Sequence, residues 1–204
     1  MPSLLKAVTM AGLAAIAIAS SVASAALITF EGIANGTVVT NQFADVTFSS
    51  SGGFENKVTT QPGIGFGSNF ICTAPTGSSI NCTEETILTF SSRVSGLSFW
   101  QVGDNQTANG AKVAEVDVFV NGVLASTVDI LGDTNFSNPN LVDLSAFTDV
   151  TSIRIHNITD GGGLGWDNFE FTASGNGRVP EPSTLALLGL ALAGLGVYRK
   201  RQRG

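Results

Sequence analysis

Asp167 is a residue whose type and position suggest chemistry. It stands in the stretch GWDNFEF, and residues 168–172 have the composition of a β-strand. On a regular strand Asp167 shares a face with Phe169 and Phe171, and two phenylalanines mark that face as the core. An inward carboxylate must be hydrogen-bonded, paired or bound to a metal. Basic residues are scarce, so an oxygen-rich calcium site is one interpretation. A carboxylate that caps a turn through backbone N–H groups is the other.

The two tryptophans, Trp100 and Trp166, are candidates for contact with a sugar ring, because each offers a flat apolar face. Trp100 follows Phe99 in LSFWQV, so on a regular strand one of these two aromatic side chains points away from the core. An exposed Trp on a sheet face suits a carbohydrate ligand. A Trp at a sheet edge, covered by a loop, is the alternative.

Catalytic chemistry has little support in the sequence. His156 is the sole histidine, and neither a cysteine nor a nucleophilic serine motif surrounds it, so a catalytic triad is not predicted. Glu84 and Glu85 are adjacent acids, a pattern typical of a solvated acidic loop. Paired carboxylates for glycoside cleavage stay open, because sequence does not give their separation. We therefore expect a protein that is not an enzyme, with a polysaccharide-degrading enzyme as the alternative.

The termini indicate export. Lys6, an apolar stretch over residues 7–19 and the small residues Ala23-Ser24-Ala25 form a secretory signal peptide, with cleavage predicted after Ala25. Outside the cytoplasm, Cys72 and Cys82 in ICTAPTGSSINC are expected to form a disulfide that closes one loop.

The charge balance excludes one class of partner. Between residues 26 and 177 there are 15 acidic residues against four basic ones. Nucleic-acid binding rests on neutralising phosphates with Lys and Arg, so no nucleic-acid partner is expected. Such an acidic surface favours the binding of divalent cations, or it simply keeps the protein soluble.

The central region predicts a single all-β domain of about 150 residues. In AEVDVFVNGVLASTVDI, alternating valines precede Asn121-Gly122, and the residues Leu124, Ser126, Val128 and Ile130 alternate after it, which predicts a β-hairpin with a type I′ turn. The architecture expected is an antiparallel β-sandwich of jelly-roll type, with a closed barrel as the alternative. Long surface loops are expected over residues 50–82 and 132–141. The other strands are predicted at 27–31, 46–49, 86–90, 96–102, 150–156 and 168–172.

The C-terminus carries a second apolar segment. Pro180, Glu181 and Pro182 precede a run of 14 uncharged residues, 185–198, and Arg199 opens a basic end. The prolines hold Glu181 extended. The run spans about 21 Å as a helix, short of a ~30 Å hydrocarbon core. The basic end is expected to stay in the cytoplasm, so the helix anchors the chain while the domain lies outside.

These three parts in order, together with a signal peptide, resemble the PEP-CTERM sorting signal of exported bacterial proteins. The resemblance implies that a membrane exosortase processes the tail, so that membrane anchoring is transient and the protein then reaches the cell surface or the medium. An ordinary single-pass anchor is the alternative. The predicted organisation is therefore a signal peptide at 1–25, a β-sandwich at 26–173, a linker at 174–178 and a sorting signal at 179–204.

The domain also resembles jelly-roll domains similar to carbohydrate-binding modules, in its opening ITFEGIANGTVVTNQFADVTFSS and its closing GWDNFEF. The resemblance implies a structural calcium ion held by Glu31 and Asp167. We expect an exported surface or matrix protein that binds or organises extracellular polysaccharide. A purely structural surface protein without a glycan ligand is a further alternative.

Overall fold

The computed structural model describes residues 24–64, 66–76, 82–105 and 108–174. These residues form ten β-strands, and no helix among them is long and apolar enough to cross a membrane. The strands are β1 (Ser24–Ile28), β2 (Val46–Ser49), β3 (Phe54–Thr60), β4 (Asn69–Pro75), β5 (Thr86–Val102), β6 (Lys112–Val120), β7 (Val123–Leu131), β8 (Asn140–Asp143), β9 (Val150–His156) and β10 (Gly165–Ala173).

All pairs between these strands are antiparallel, and they form one connected sheet in the order β3-β4-β10-β5-β9-β6-β7. β1 is added beside β10, while β2 and β8 are added beside β5. The long strand β5 joins the two parts of the sheet. Its first half pairs with β2 and β9, and its second half pairs with β8 and β10. The all-β antiparallel class predicted from sequence is confirmed.

The core is rich in aromatic side chains that meet around Phe169 of β10. The Phe169 ring lies 5.2 Å from Phe99, 5.7 Å from Phe48 and 6.3 Å from Phe30, measured between ring centroids. All four side chains are buried. At about 25 cal/mol per Å² of buried apolar surface, a cluster of this size is a main source of the folding free energy.

A β-bulge in β10 decides which residues face this core. The pairing of β10 with β5 changes register between Asp167 and Glu170, and Asn168 has a φ of 47°. Asn tolerates this left-handed conformation better than most residues. The extra residue places Trp166 and Phe169, three positions apart, on the same core face.

Cys72 and Cys82 form the expected disulfide. Both sulfur-bearing side chains belong to a second, smaller apolar cluster with Ile64, Phe70 and Val102. Phe70 and Cys72 flank Ile71, which points into the main core, so this cluster lies on the outer side of β4. The disulfide therefore attaches a loop to the outer face of the sheet.

Several strand predictions are confirmed. The hairpin of β6 and β7 turns at Asn121 and Gly122, whose φ values of 52° and 77° are those of a type I′ turn. β2 and β9 have the predicted bounds, whereas the strands predicted at 86–90 and 96–102 form the single strand β5.

The prediction of a long loop over residues 50–82 is wrong, because β3 and β4 lie within it. Neither strand shows a clean alternation of apolar and polar residues. In β4 this is because most residues are buried, whichever face of the sheet they lie on. The sequence also did not predict β8, which begins at the end of the loop predicted over residues 132–141.

The predicted signal peptide, linker and sorting signal lie largely outside the described residues. At the N-terminal boundary, β1 starts at Ser24, two residues before the predicted mature start at Ala26. Ser24 pairs with Ala173, so the two ends of the folded domain lie side by side.

Candidate functional site

The candidate site lies on the outer face of β5 and β10, where Phe66, from the connection between β3 and β4, packs against Trp100. Phe99 is buried in the core, so its neighbour Trp100 projects to the opposite face and is partly exposed. This confirms that one of the two residues points away from the core. Asp167 pairs directly with Trp100 across β10 and β5, which puts both side chains on this outer face.

An aromatic pair forms the exposed part of the site. The rings of Phe66 and Trp100 meet edge to face, with centroids 4.5 Å apart. Phe66 is 51% exposed although it is a large apolar residue. Phe66 could not be identified as a site residue from the sequence, because its segment QPGIGFGSN has no periodicity that would assign the side chain to one face of a strand.

Trp166 does not lie at this site. It is fully buried, and its ring packs edge to face against Phe99 with centroids 5.8 Å apart. A sugar ring cannot reach it in this structure. The physical reason is the bulge in β10, which turns Trp166 toward the core together with Phe169.

Glu31 and Asp167 are brought together, although they are 136 positions apart in the chain. Glu31 Oε1 accepts hydrogen bonds from Ser68 N and Asn69 N, each at 2.9 Å, so its carboxylate holds the end of the loop. Gly67 permits this contact, because a Cβ at position 67 would collide with Glu31 Oε1.

Asp167 is 2% exposed, and its Oδ1 accepts a hydrogen bond from Asn168 N at 2.7 Å. Burial raises the pKa of Asp167 to about 6, and the negative charge of Glu31 adds to this shift, while the hydrogen bond from Asn168 opposes it. The sequence-based expectation of a buried carboxylate is confirmed. Its orientation was predicted wrongly, since the bulge puts Asp167 on the face opposite Phe169.

The acid pair fits part of a calcium site. Calcium takes six to eight oxygen ligands at about 2.3–2.6 Å, and carboxylates are its usual charged ligands. Both hydrogen bonds to Glu31 end on Oε1, so neither uses Oε2. Within the described parts of the chain, no group of three or more His, Cys, Asp or Glu side chains has metal-binding geometry. Backbone carbonyls and water would have to complete the coordination.

A pocket of about 230 Å³ opens beside the aromatic pair. Val102, which lines it, is two residues from Trp100 on the same side of β5. Phe136 and Gln61 contribute to the wall, and several glycines expose backbone to the pocket. One of them, Gly163, has a φ of 78°, and a Cβ there would lie 2.5 Å from the carbonyl carbon of Cys82.

Two buried aspartates order the loops around this pocket. Asp104 Oδ2 accepts hydrogen bonds from Asp133 N and Thr134 N. Asp160 accepts hydrogen bonds from Asn105 N at 2.9 Å and from Gly162 N at 2.8 Å. These carboxylates provide hydrogen-bond acceptors for backbone N–H groups of the loops.

Two of the other residues considered for catalysis, His156 and Glu85, lie beside charged side chains. His156 Nε2 lies 3.1 Å from Asp117 Oδ2 on the neighbouring strand β6. Glu85, the residue before β5, accepts through Oε2 a hydrogen bond from Arg154 Nε of β9 at 2.8 Å. Glu84 is half-buried.

Residues 178–201 match the PEP-CTERM protein-sorting motif. Pro180, Glu181 and Pro182 lie within this match and outside the described residues. The motif indicates an exported protein that is anchored in the membrane through its C-terminus before an exosortase processes it, and that is then released to the cell surface. This confirms the predicted localisation.

Two solved structures are similar to the chain at low sequence identity. A family 35 carbohydrate binding module from an environmental isolate aligns with 73% of this chain and 93% of its own, at 15% identity and a TM-score of 0.36. A cleaved adhesin domain of Lys-gingipain from Porphyromonas gingivalis aligns with 68% of this chain and 98% of its own, at 16% identity and a TM-score of 0.35. TM-scores below 0.5 do not establish a shared fold. No curated protein matches the chain.

Replacing Asp167 with Asn is expected to stabilise the metal-free protein at neutral pH. A raised pKa in the folded state means that folding favours the protonated carboxyl, so stability falls as the pH rises from about 4 through 6. The variant avoids this loss. Its gain at pH 7.5 is at most about 3 kcal/mol, because one pKa unit corresponds to about 1.4 kcal/mol.

Urea unfolding in EDTA at pH 4 and pH 7.5 measures the effect, with Glu170→Gln as an exposed control on the same strand. A gain of equal size at both pH values, or a loss at pH 7.5, would contradict the electrostatic explanation.

Proposed function

We propose that this protein is a binding module displayed at the cell surface, where it holds extracellular polysaccharide, and that it does not catalyse turnover. The observation that supports this most directly is the partly exposed Trp100 packed against the exposed Phe66. Aromatic rings left at a surface present an apolar face that the C–H face of a sugar ring can cover. The pocket beside Trp100 is lined partly by glycines, so a sugar can approach their backbone closely there.

The charge of the domain narrows the class of glycan. With 15 acidic residues against four basic ones between residues 26 and 177, the surface repels polyanions. A neutral exopolysaccharide is therefore the ligand class that we propose, in preference to a uronic-acid-rich one.

The position of the domain ends supports display. β10 begins at Gly165, two residues before Asp167, and ends at Ala173, after which the chain continues toward the sorting motif. Six residues of strand extend about 20 Å, so the candidate site and the exit of the tail lie toward opposite ends of β10. We infer that a domain tethered by its tail would present the aromatic pair away from the membrane.

We also infer that the strands pack as a two-sheet sandwich of jelly-roll type. The long strand β5, which pairs with different neighbours in its two halves, supports this arrangement, because a bent strand can contribute to both sheets.

A structural calcium ion at Glu31 and Asp167 is part of the proposal. Two neighbouring carboxylates, one of them buried with a raised pKa, would be stabilised by a divalent cation between them. The ion would fix the loop at residues 61–68, which carries Phe66, against the sheet. Its role would be to position the aromatic pair.

Glycoside cleavage is the second candidate function, and one observation favours it. A carboxyl with a pKa of about 6 beside a second carboxyl is the arrangement of a general acid and its partner. Against it, Asp167 is 2% exposed, so a glycosidic oxygen does not reach its carboxyl in this conformation. We therefore favour glycan binding over glycoside cleavage. If the protein retains no glycan, the remaining alternative is a purely structural role.

Replacing Trp100 with Ala is expected to abolish polysaccharide retention. Full burial of a large side chain contributes about 1.5–3 kcal/mol, so the affinity should fall at least about tenfold. The measurement is the mobility of the released protein in native gels containing neutral polysaccharides. Val123→Ala, an exposed apolar control on β7, should migrate like the wild type.

Equal retardation of the Trp100→Ala variant and the wild type would reject the aromatic pair as the binding surface. Release of reducing sugars that is lost in Asp167→Asn would instead support the enzyme.

Calcium is expected to bind the metal-free protein at about one site per chain and to raise its Tm, because binding to the folded state alone stabilises it. Isothermal titration with calcium chloride measures this. Asp167→Asn should lose the heat of binding and the Tm shift, whereas Glu170→Gln should keep both. Absence of a calcium signal in the wild type would sink the metal proposal.

Replacing Glu181 with Ala is expected to block processing of the tail, because Glu181 is the central residue of the Pro-Glu-Pro triplet within the matched motif. The wild-type protein from the cell surface should have an intact mass that ends near Pro182, and the variant should retain the tail. A wild-type mass that extends to Gly204 would indicate an ordinary anchor.

A further inference from the structure

The apolar surface on the outer face of the sheet extends beyond the aromatic pair. Trp100 of β5 pairs directly with Leu141 of β8, on the side opposite its pairing with Asp167 of β10. Directly paired residues point to the same side of a sheet, so Leu141 lies on the outer face with Trp100. Leu141 is 52% exposed, although it is a large apolar residue. We refer to Phe66, Trp100 and Leu141 as the apolar strip.

The hydrogen-bonding pattern brings Leu141 close to the side chain of Trp100. Leu144 N, just beyond β8, donates to Leu97 O, so these two residues form a hydrogen-bonded pair. Hydrogen-bonded and non-hydrogen-bonded pairs alternate along the strands. Trp100 and Leu141 lie three positions along the same register and therefore form a non-hydrogen-bonded pair. In such pairs the Cα atoms are about 4.5 Å apart and the side chains are closest, so the strip is continuous from β5 to β8.

A polar row borders the apolar strip on the same face. Ser98, two residues before Trp100, pairs with Glu170 of β10 and with Asp143 of β8. Two residues of a strand span about 7 Å, which is the distance between the two rows. Glu170 and Asp143 are exposed, and none of the ion pairs within the described residues involves either carboxylate. Both carboxylates can therefore accept hydrogen bonds from a ligand.

Asp143 is the acceptor nearest to Leu141, since the two residues are neighbours on the outer side of β8. Its Oδ1 accepts a hydrogen bond from Ser145 N at 2.8 Å. Hydrogen bonds from Ser145 lower the pKa of Asp143, so the carboxylate is ionised at neutral pH. An ionised carboxylate only accepts hydrogen bonds, and it has about four positions for them. The positions that Ser145 leaves open suit the hydroxyl groups of a neutral ligand.

An apolar strip with acceptors along one side matches the chemistry of a sugar chain. Each ring has a C–H face that can cover an apolar side chain, and its hydroxyl groups lie around the edge. Trp100 and Leu141 are on neighbouring strands about 5 Å apart, which is close to the repeat of successive rings in an extended glycan. A ring that covers Trp100 therefore places the next ring of the chain over Leu141. The carboxylates of Asp143 and Glu170 disfavour an anionic ligand here.

We propose that Leu141 and Asp143 form a second sugar subsite beside Trp100, so that the protein binds a neutral glycan of at least two consecutive residues that crosses from β5 to β8. Leu141 packs against the C–H face of the second ring, and Asp143 accepts hydrogen bonds from its hydroxyl groups. This inference rests on the proposed function, because the subsite continues the surface that begins at Trp100. It adds the minimum length of the ligand and the residues that select its second ring.

The released protein is tested in native gels with increasing concentrations of four neutral polysaccharides: dextran, pullulan, laminarin and hydroxyethyl cellulose. For each polysaccharide that retards the wild type, Leu141→Ala and Asp143→Asn should weaken the affinity at least about fivefold, because they remove an apolar contact and a charged acceptor. Leu141→Phe should strengthen it, since an aromatic ring covers more of the sugar face. A gain of affinity distinguishes ligand contact from a merely structural role.

Matched controls come from β7. Leu131→Ala changes the same residue type at the same exposed fraction, 52%, and Asp129→Asn changes an exposed aspartate. Both variants should bind like the wild type. The retained polysaccharide is also cut to fragments of one and six residues, and the longer fragment should compete at a concentration at least about tenfold lower.

Three outcomes would overturn the second subsite. If Leu141→Ala and Asp143→Asn bind like the wild type while Trp100→Ala is not retained, the subsite is rejected and the proposed function stands. If none of the four polysaccharides retards the wild type, both are rejected. If the wild type retains no glycan but forms a dimer in analytical ultracentrifugation that Leu141→Ala abolishes, the apolar strip is an interface with a second copy.

Discussion

The β-bulge at Asn168 is the constraint on which the rest of this structure depends. Because Asn168 adopts a left-handed backbone conformation, β10 shifts its register against β5 between Asp167 and Glu170. Trp166 and Phe169 consequently both enter the core, and Phe169 becomes the residue around which Phe30, Phe48 and Phe99 pack. The same shift leaves Asp167 on the outer face, next to Trp100. One local backbone feature thus separates the apolar core from the polar site.

The outer face is closed by loops that are held by specific contacts. Glu31 binds the backbone at the end of the loop that carries Phe66, and the disulfide between Cys72 and Cys82 attaches the next loop to β4. Asp167 is buried on this face, and its burial, together with the negative charge of Glu31, raises its pKa. The aromatic pair and the acid pair are therefore connected through one loop, because Glu31 holds the backbone next to Phe66.

Much of the outer-face geometry was not accessible to pattern reasoning. Asp167 was expected to be buried, and it is, but alternation assigned it to the wrong face because a bulge depends on the partner strand. Trp166 was a candidate for glycan contact on residue type alone, and it lies in the core. Pattern reasoning predicts a loop at β3 and β4, since a strand buried on both faces has no alternating pattern. Glu31 was paired with Asp167 through a family resemblance, and no spacing rule would have joined two residues so far apart.

The sequence by itself determined the features that depend on local backbone preference or on contiguous residues. These are the strand-rich composition, the hairpin turn at Asn121 and Gly122, the disulfide and the C-terminal sorting motif. Only the tertiary structure decided which of Phe99 and Trp100 is exposed, which face Asp167 occupies and which strand edges remain unpaired. The physical reason is that burial, pKa and edge exposure are set by neighbours that are distant along the chain, and these neighbours exist only once the sheet has formed.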